Sequence, residues 1–562
     1  MTVKTDKSKR IVVIGAVAAG TSAAAKARRN DEDAEIVIYE MDQDISYSGC
    51  GLPYYIGGKV PDIKTLTPRD PAFFKKKYNV DIFTGHQVLS ADAKNRELRI
   101  RRLEDSEEFT DRYDVLVIAT GAQSIMPPVP GIDMPHVFSL RNPSDARAIR
   151  EYIDRHQPKR AVVVGSGFIG MEMVENLAHA GLNVELVEKL ENICPFVDDD
   201  MAPYLAEYLD KQGIIIHTGT AASAIDQDRV ILDNGLEIEA DIVIMAVGVK
   251  PNTRLAADMG VKLGVAGSIA VDSCMRTNLP DVYACGDCAQ SWSIVDNRPL
   301  YRPLGSTANK MGRIAGDMIS GGSLAFRGIA GTGIFKVFDM SIAATGLNEK
   351  EARESGYDVV VNHNIKPDKP EYFDGREMVI KAIADRQTEK ILGVQIIGYE
   401  GVDKRVDVFV TAMTAGLKVS DLFHLDLAYA PPFSTTKDPV MYTGMILDNA
   451  INRGRNLISA DTLKCCEPGS YQIIDARVDN QYEQSHVDDA VSIPHEKLRE
   501  QLANLDPNRP VVTYCNKGTT GNAAQNILIN KGFKQVYNLS GGHKQYCKCR
   551  GRRSTSEKPD TN

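Results

Sequence analysis

Two glycine turns, each behind a short run of β-branched residues, constrain this chain more than any other feature. The first, Gly15-Ala-Val-Ala-Ala-Gly20, follows Arg10-Ile-Val-Val-Ile14 and precedes an alanine-rich helix predicted over Ser22–Arg29. The second, Gly165-Ser-Gly167-Phe-Ile-Gly170, follows Arg160-Ala-Val-Val-Val164 and precedes a helix predicted over Met171–Ala180. Continuous apolar runs of this kind read as parallel strands buried on both faces. Each unit continues into a second strand that ends on an acid, Glu40 after Glu35-Ile-Val-Ile-Tyr39 and Glu188 after Asn183-Val-Glu-Leu-Val187. In a strand, turn, helix, strand unit the glycines let backbone amides and a helix N-terminus approach a pyrophosphate, and the terminal acid accepts from ribose hydroxyls. The second turn is a complete G-x-G-x-x-G and is predicted to bind NAD through Gly165, Gly167, Phe168, Ile169, Gly170 and Glu188. Gly248, at the end of the strand beginning at Asp241, joins that site. Glu188 would repel a 2′-phosphate, which favours NADH over NADPH, although Lys189 beside it works the other way. The first turn departs from the pattern at Val17, where a second glycine is usual.

Two further strand ends return to the first unit. Tyr113-Asp-Val-Leu-Val-Ile-Ala-Thr120-Gly121 closes on a glycine, and Asp281-Val-Tyr-Ala-Cys285-Gly286-Asp287 places an aspartate where a flavin's ribityl chain would take a hydrogen bond. The FAD-binding candidates are Gly15, Ala18, Ala19, Gly20, Glu40, Thr120, Gly121, Gly286 and Asp287. Cys285 and Cys288 have C-x-x-C spacing, but no second pair with metal spacing exists, so no metal is expected. Between the units lies Ser46-Tyr-Ser-Gly49-Cys50-Gly-Leu-Pro-Tyr-Tyr55. Its single cysteine has no neighbour to close a disulfide with, since the next is Cys194. A lone thiol beside a redox cofactor must store oxidation as a bond to an exogenous thiol, sulfur or oxygen.

Composition narrows the setting. The chain has 562 residues, a length prior of roughly three to four domains. A net charge of −9 argues against nucleic-acid binding. Ten cysteines at irregular spacing are no disulfide scaffold. No apolar run approaches a membrane span, and no secretory signal is read at the N-terminus. A reducing cytoplasm is the expected location.

From Arg10 to about Asp448 these motifs resemble the flavoprotein disulfide reductases with two dinucleotide sites. The resemblance implies FAD at the first unit, NADH (or NADPH) at the inserted second, and hydride passing from nicotinamide to flavin, with sulfur reduced on the flavin's other face. Ser46-x-x-x-Cys50 is similar to the single-cysteine branch, which holds coenzyme A disulfide reductases, NADH oxidases and NADH peroxidases. The two-cysteine branch needs C-x-x-x-x-C, and Tyr55 stands at that place. Within the family, residues after Ile329 form a dimer interface that covers the partner's active site. Leu427-Ala-Tyr429-Ala-Pro-Pro-Phe-Ser434 resembles the coenzyme A disulfide reductase pattern there, which implies a homodimer in which Tyr429 donates a hydrogen bond to a leaving thiolate; Tyr372 is a second candidate. By motif spacing the resemblance carries coenzyme A contacts to Arg29, Ser46, Lys77, Asn309 and Arg313, cations and polar groups suited to an acidic ligand. Gly49 departs from the family, where asparagine is expected before the cysteine.

Gln472-Ile-Ile-Asp475-Ala-Arg477, Pro510-Val-Val-Thr-Tyr-Cys515-Asn-Lys517-Gly-Thr-Thr-Gly521 and a helix predicted over Ala523–Gly532 resemble a rhodanese domain. Strand, cysteine, glycine-containing loop and helix make a cradle whose amides stabilise a thiolate or persulfide at Cys515. Lys517 is the cation of that loop, where active rhodaneses often carry arginine. Cys465, Cys466, Cys547 and Cys549 could relay sulfur and are read as incidental.

The expected architecture is α/β: two doubly wound dinucleotide-binding domains, FAD (1–120 and 245–328) with an inserted NAD(P)H domain (121–244), an α+β dimerisation domain (329–450), a linker (451–467), an α/β rhodanese domain (468–550) and a disordered tail (551–562). The expected activity is NADH-dependent reduction of coenzyme A persulfide, polysulfide or coenzyme A disulfide through Cys50, with Cys515 handling sulfane sulfur. Two rivals stand beside it. One is an NADH oxidase or peroxidase cycling Cys50 through a sulfenic acid; the other is a non-catalytic sulfur-carrier or redox-sensing module.

Overall fold

The computed structural model describes residues 8–549. The chain falls into two compact units, Met1–Glu191 with Ile214–Gly331, and Asn192–Gly213 with Thr332–Asn562.

The first unit holds two five-stranded parallel sheets built to one plan. In the first the strand order is Val282–Ala284, Val115–Ile118, Arg10–Ile14, Glu35–Tyr39, Asp81–Phe83. In the second it is Ile215–Thr218, Asn183–Glu188, Arg160–Val164, Ile242–Met245, Val137–Ser139. In both, the strand that feeds the glycine turn lies at the centre, so the turn opens at the carboxyl edge where such sheets bind ligands. The central strands are the apolar runs of the sequence: Val12, Val13, Val162 and Val163 have no exposed surface. Fully burying one such side chain stabilises by about 1.5–3 kcal/mol, which explains why five-residue strands suffice. The unit also holds two separate three-stranded antiparallel meanders, at His86–Arg112 and Ala222–Glu239.

The helices start earlier than the sequence predicts. They run over Ala18–Asn30 and Phe168–His179, beginning within the glycine turns themselves. A second correction concerns residues 192–213, expected inside the NAD(P)H domain. This stretch, with helix Ala202–Lys211, clusters with the second unit.

The second unit contains a five-stranded antiparallel sheet, ordered Gly333–Val337, Met340–Gly346, Ile391–Gly398, Glu377–Asp385, Val359–Pro367. Helices Val402–Ala415 and Pro439–Asn452 supply Phe409, Val440 and Leu447 to its core. A second, parallel sheet is ordered Asn456–Ile458, Val536–Leu539, Val511–Tyr514, Gln472–Asp475, Ala490–Ser492. Its first strand lies in the stretch expected as a linker. Residues 451–467 therefore contribute an edge strand and the helix Ala460–Lys464. The tail at 551–562 lies outside the described residues. No helix among the described residues is long and apolar enough to cross a membrane.

Candidate active site

In the first unit the carboxyl edge of the first sheet opens into a cavity of about 810 Å³. Of the nine residues expected to hold FAD, Gly15, Ala18, Ala19, Glu40, Thr120, Gly121, Gly286 and Asp287 line it. Gly20 does not; a Cβ there would collide with the Gly15 carbonyl, so its role is to bring helix and strand together. Gly15 has φ +104°, and a side chain on it would strike the Ala119 carbonyl. Val17 lines the cavity in place of the usual glycine. Glu40 is buried and accepts from the amides of Ala16 (2.6 Å) and Asp42 (3.0 Å). Its burial holds the carboxyl above its ordinary pKa. The volume, the glycine-lined floor and the terminal acid fit a dinucleotide.

Arg141 is a cavity residue that the sequence did not announce. Its Nη2 donates to Asp287 Oδ2 (2.6 Å) and its Nε to the Ala122 carbonyl (3.0 Å), so the predicted ribityl partner is held by a cation. Cys285 and Cys288 are fully buried, with Cys288 Sγ donating to the carbonyls of Ile118 and Cys285 at 3.4 Å. Among the described residues no cluster of three or more His, Cys, Asp or Glu is placed to hold a metal.

The second glycine turn repeats the first. Gly165 has φ +102°, and Gly170, like Gly20, leaves no room for a Cβ against the carbonyl of the turn's first glycine. Gly170 is thus a packing glycine, not one open to ligand. A Cβ on Gly167 would meet nothing within 4 Å, which is the open approach a pyrophosphate needs. Phe168 and Ile169 open the helix. Gly248 has φ +112° and its carbonyl accepts from Ile125. Glu188 is buried and accepts from Ser166 N (3.0 Å), Ser166 Oγ (2.5 Å) and Leu190 N (2.9 Å), the counterpart of the Glu40 arrangement.

Cys50 sits in a single 3₁₀ turn, Gly49–Gly51, that leads into the short helix Leu52–Ile56. The turn is tied to the first glycine loop: Ser46, at φ +49°, donates its amide to the Ala16 carbonyl (2.9 Å). A Cβ on Gly51 would press on the Leu66 methyl groups, which would have to shift, whereas a Cβ on Gly49 would meet nothing. The absence of asparagine at 49 is therefore not steric. Cys50 is solvent-exposed and free, as are all ten cysteines in the sense of forming no disulfide. Its surroundings nonetheless hold the thiol above its ordinary pKa, by desolvation first and by the Glu172 carboxylate second. Glu172, two residues beyond Gly170, is raised to about 7 by burial and by Glu175. Glu175 is buried and paired with Lys59 Nζ at 2.5 Å. Tyr54, pushed up to about 12 by burial and then by Glu172 and Glu175, completes the group. The sequence carried one signal for Glu172: its fixed place after the G-x-G-x-x-G on the same helix.

Of the residues carried over as coenzyme A contacts, Arg29 and Lys77 meet at Tyr78. The Arg29 guanidinium lies 5.3 Å and the Lys77 ammonium 5.5 Å from its ring centre. Asn309 Oδ1 accepts from Ser22 Oγ (2.8 Å) and shares a helix with Arg313, one turn on.

The second unit holds the tyrosine candidates and Cys515. Tyr372 and Tyr429 are 73% and 48% exposed, and Phe433 is 71% exposed. The loop that carries Tyr429 is anchored by Ser434, which donates to Asp438 Oδ2 (2.8 Å), and by buried Arg405, paired with Asp438 at 3.0 Å. Cys515 follows the buried strand Val511–Tyr514. Helix Thr519–Asn530 begins four residues before the predicted start, so the loop is only Cys515 to Gly518, the last at φ +91°. The backbone of that loop is clamped from outside: His543 N donates to the Cys515 carbonyl (2.8 Å) and Lys544 N to that of Asn516 (3.1 Å). Beneath it, fully buried Asp475 accepts from Arg477 and from Tyr514 Oη (2.7 Å). Cys465 and Cys547 are exposed and Cys549 is buried, with no disulfide among them.

Comparison with known proteins agrees with this geometry. Residues 9–305 match the pyridine nucleotide-disulphide oxidoreductase family, residues 332–439 its dimerisation domain, and residues 460–549 the rhodanese-like domain. The NAD(P)H sulfur oxidoreductase (CoA-dependent) of Pyrococcus furiosus is 35% identical over 446 residues, covering 78% of this chain and 99% of that one. The reduced CoADR-RHD of Bacillus anthracis superposes with a TM-score of 0.94 at 35% identity, covering 96% of this chain and 98% of that one. An NAD-dependent persulfide reductase from A. fulgidus gives 0.87 at 35% identity, covering 96% and 100%.

Proposed function

The chain belongs to the pyridine nucleotide-disulphide oxidoreductases, and on that footing we propose that it is an NADH-dependent flavoprotein reducing coenzyme A persulfide, polysulfide or coenzyme A disulfide at Cys50. One observation carries the reading: Cys50 is exposed, while Cys285 and Cys288 of the same unit are fully buried. A redox thiol so isolated takes its second sulfur from a substrate. The cavity fits FAD, with Glu40, Thr120, Gly121, Gly286 and Asp287 holding it; bound there, it supplies the electron transfer between nicotinamide and sulfur. NADH is the expected coenzyme because the Glu188 carboxylate, read as the ribose acceptor, would repel a 2′-phosphate.

The chain's own residues define the sulfur steps. The Cys50 thiolate attacks the coenzyme-side sulfur of the persulfide, the sulfur–sulfur bond breaks, and hydrosulfide leaves with the electron pair. The mixed disulfide then takes two electrons and a proton, releasing coenzyme A and restoring the Cys50 thiolate. Arg29, Ser46, Lys77, Asn309 and Arg313 are assigned to the coenzyme. Tyr429, with Tyr372 second, is assigned to the leaving thiolate across a homodimer, in line with the exposure of both tyrosines on a dimerisation-type domain. Cys515 carries sulfane sulfur, and the cytoplasm is the assigned location.

Steady-state NADH oxidation with coenzyme A persulfide tests this, with intact-mass analysis alongside. Cys50→Ser should lower the rate by more than a hundredfold, and the wild-type protein should show a reductant-labile coenzyme A adduct on Cys50. Full activity of the serine variant would overturn the assignment. Peroxide turnover above persulfide turnover would replace it with the peroxidase reading.

A further inference from the structure

The Cys515 loop has a neighbour from outside the rhodanese-like segment. Lys366 lies at the end of strand Val359–Pro367, in the antiparallel sheet matched by the dimerisation domain. Its Nζ donates to Thr519 Oγ1 (2.8 Å), the first residue of the helix that closes the Cys515 loop, and lies 4.5 Å from the ring centre of Tyr442. Two other lysines flank the loop. Both Lys517, within it, and Lys544, on the helix that clamps it, are paired with Glu377. Arg477 is spent on buried Asp475. Among the described residues no carboxylate pairs with Lys366. An ammonium has three donors, and Thr519 uses one.

Burial lowers the Lys366 pKa; the negative charge of Cys515 opposes that fall and the positive charge of Lys517 adds to it. The charged and titratable groups placed around the Cys515 loop are Lys366 from a strand outside the rhodanese-like segment, Lys517 from the loop itself, His543 and Lys544 from the clamping helix, Glu377 paired with both lysines of the loop and helix, and the Asp475–Arg477 pair below.

We propose that Lys366 is a binding residue of the sulfur-transfer site, holding the negative charge that Cys515 bears as thiolate and as persulfide and attracting anionic sulfur donors to it. The site is then composite, completed by a residue outside the rhodanese-like segment. The inference rests on reading Cys515 as a sulfur carrier. With thiosulfate as donor, the thiolate attacks the outer sulfur, the bond to the sulfonate sulfur breaks, and sulfite leaves with the electron pair, giving the Cys515 persulfide. Cyanide then takes the outer sulfur as thiocyanate and the thiolate returns, with no external oxidant or reductant.

The test compares wild type, Lys366→Met and Lys366→Arg as full-length holoproteins. Alkylation of Cys515 is followed by peptide mass against pH, with iodoacetate and with neutral iodoacetamide. In Lys366→Met the iodoacetate-to-iodoacetamide rate ratio should fall by about 3- to 10-fold, as loss of one nearby charge implies. The pH midpoint should rise, and the KM for thiosulfate should rise more than kcat falls. Arginine at 366 should restore the ratio. An unchanged ratio and midpoint in Lys366→Met would overturn the inference, as would an arginine variant no better than methionine. Should the methionine variant not fold, Lys366→Gln is read by the same criteria. Failure of the underlying reading shows separately: Cys515→Ser would then keep thiosulfate-to-cyanide transfer.

Discussion

Glu172 bears on the charge of Cys50. The carboxylate is the second cause, after desolvation, that holds the thiol up, and Glu172 itself titrates near 7. As pH falls through about 7 the carboxyl takes up its proton and the repulsion fades; as pH rises through it the repulsion grows. Glu172→Gln should therefore speed alkylation of Cys50 by about 2- to 5-fold at pH 8, with the gap closing toward pH 6. A ratio constant across that range would show the two are not coupled. This pair also marks what the sequence made legible. Gly15, Gly165, Glu40, Glu188, Cys50 and Cys515 each belong to a local pattern whose geometry is set by its own few residues. Arg141, Glu175, Lys366 and Arg405 reach their sites through packing of segments far apart in the chain, and nothing local distinguishes them from solvated charges. Lys517 shows the opposite limit: it was read as the loop's cation, yet Glu377 neutralises it.

At the scale of elements, the strands are legible in the sequence because continuous apolar runs have one good solution in a buried parallel sheet. Helix starts were read late at Ala18, Phe168 and Thr519. In each case a glycine stands third in the helix, Gly20, Gly170 and Gly521, and its poor helix propensity hides the first turn from a reading of the sequence. The strand Asn456–Ile458 was missed because three residues carry no periodicity. It pairs in parallel with Val536–Leu539 and so covers that strand's outer edge. A fragment starting at residue 453 should keep the sheet closed, while one starting at 468 would bare an edge prone to pairing with other chains. Size-exclusion chromatography of the two should show a discrete species for the longer and aggregates for the shorter; equal behaviour would deny the strand this role.

At the scale of the whole molecule, the excursion 192–213 is fastened within the second unit by buried charge. Asp200 pairs with Lys381 (2.8 Å) and accepts from His363 Nε2 (2.8 Å), and His363 reaches Ser540 Oγ on its other side (3.0 Å). Serine, histidine and aspartate stand here in the order of a hydrolase triad, but all three are buried and no substrate can reach them, so the row acts as a fastening. Burial alone would raise the Asp200 pKa; His363 and Lys381 outweigh it and hold the carboxyl well below the usual range. A depressed carboxylate contributes stability above its unfolded pKa near 4 and loses it as pH falls below that. Asp200→Asn should cost about 3–5 kcal/mol at pH 7, read as a lowered denaturation midpoint, and the deficit should shrink on acidification; a pH-independent deficit would assign the loss to packing. The duplicated plan of the first unit has a consequence of another kind. Glu40 and Glu188 are each held by the amides of their own glycine turn, so the residue proposed to read the ribose is also a brace of the loop proposed to cradle the phosphates. Recognition and scaffold cannot be varied separately there. A lineage, or an engineer, changing coenzyme preference at Glu188 first unmoors Ser166, and the path to the new preference must pass through a second substitution that fastens the turn again.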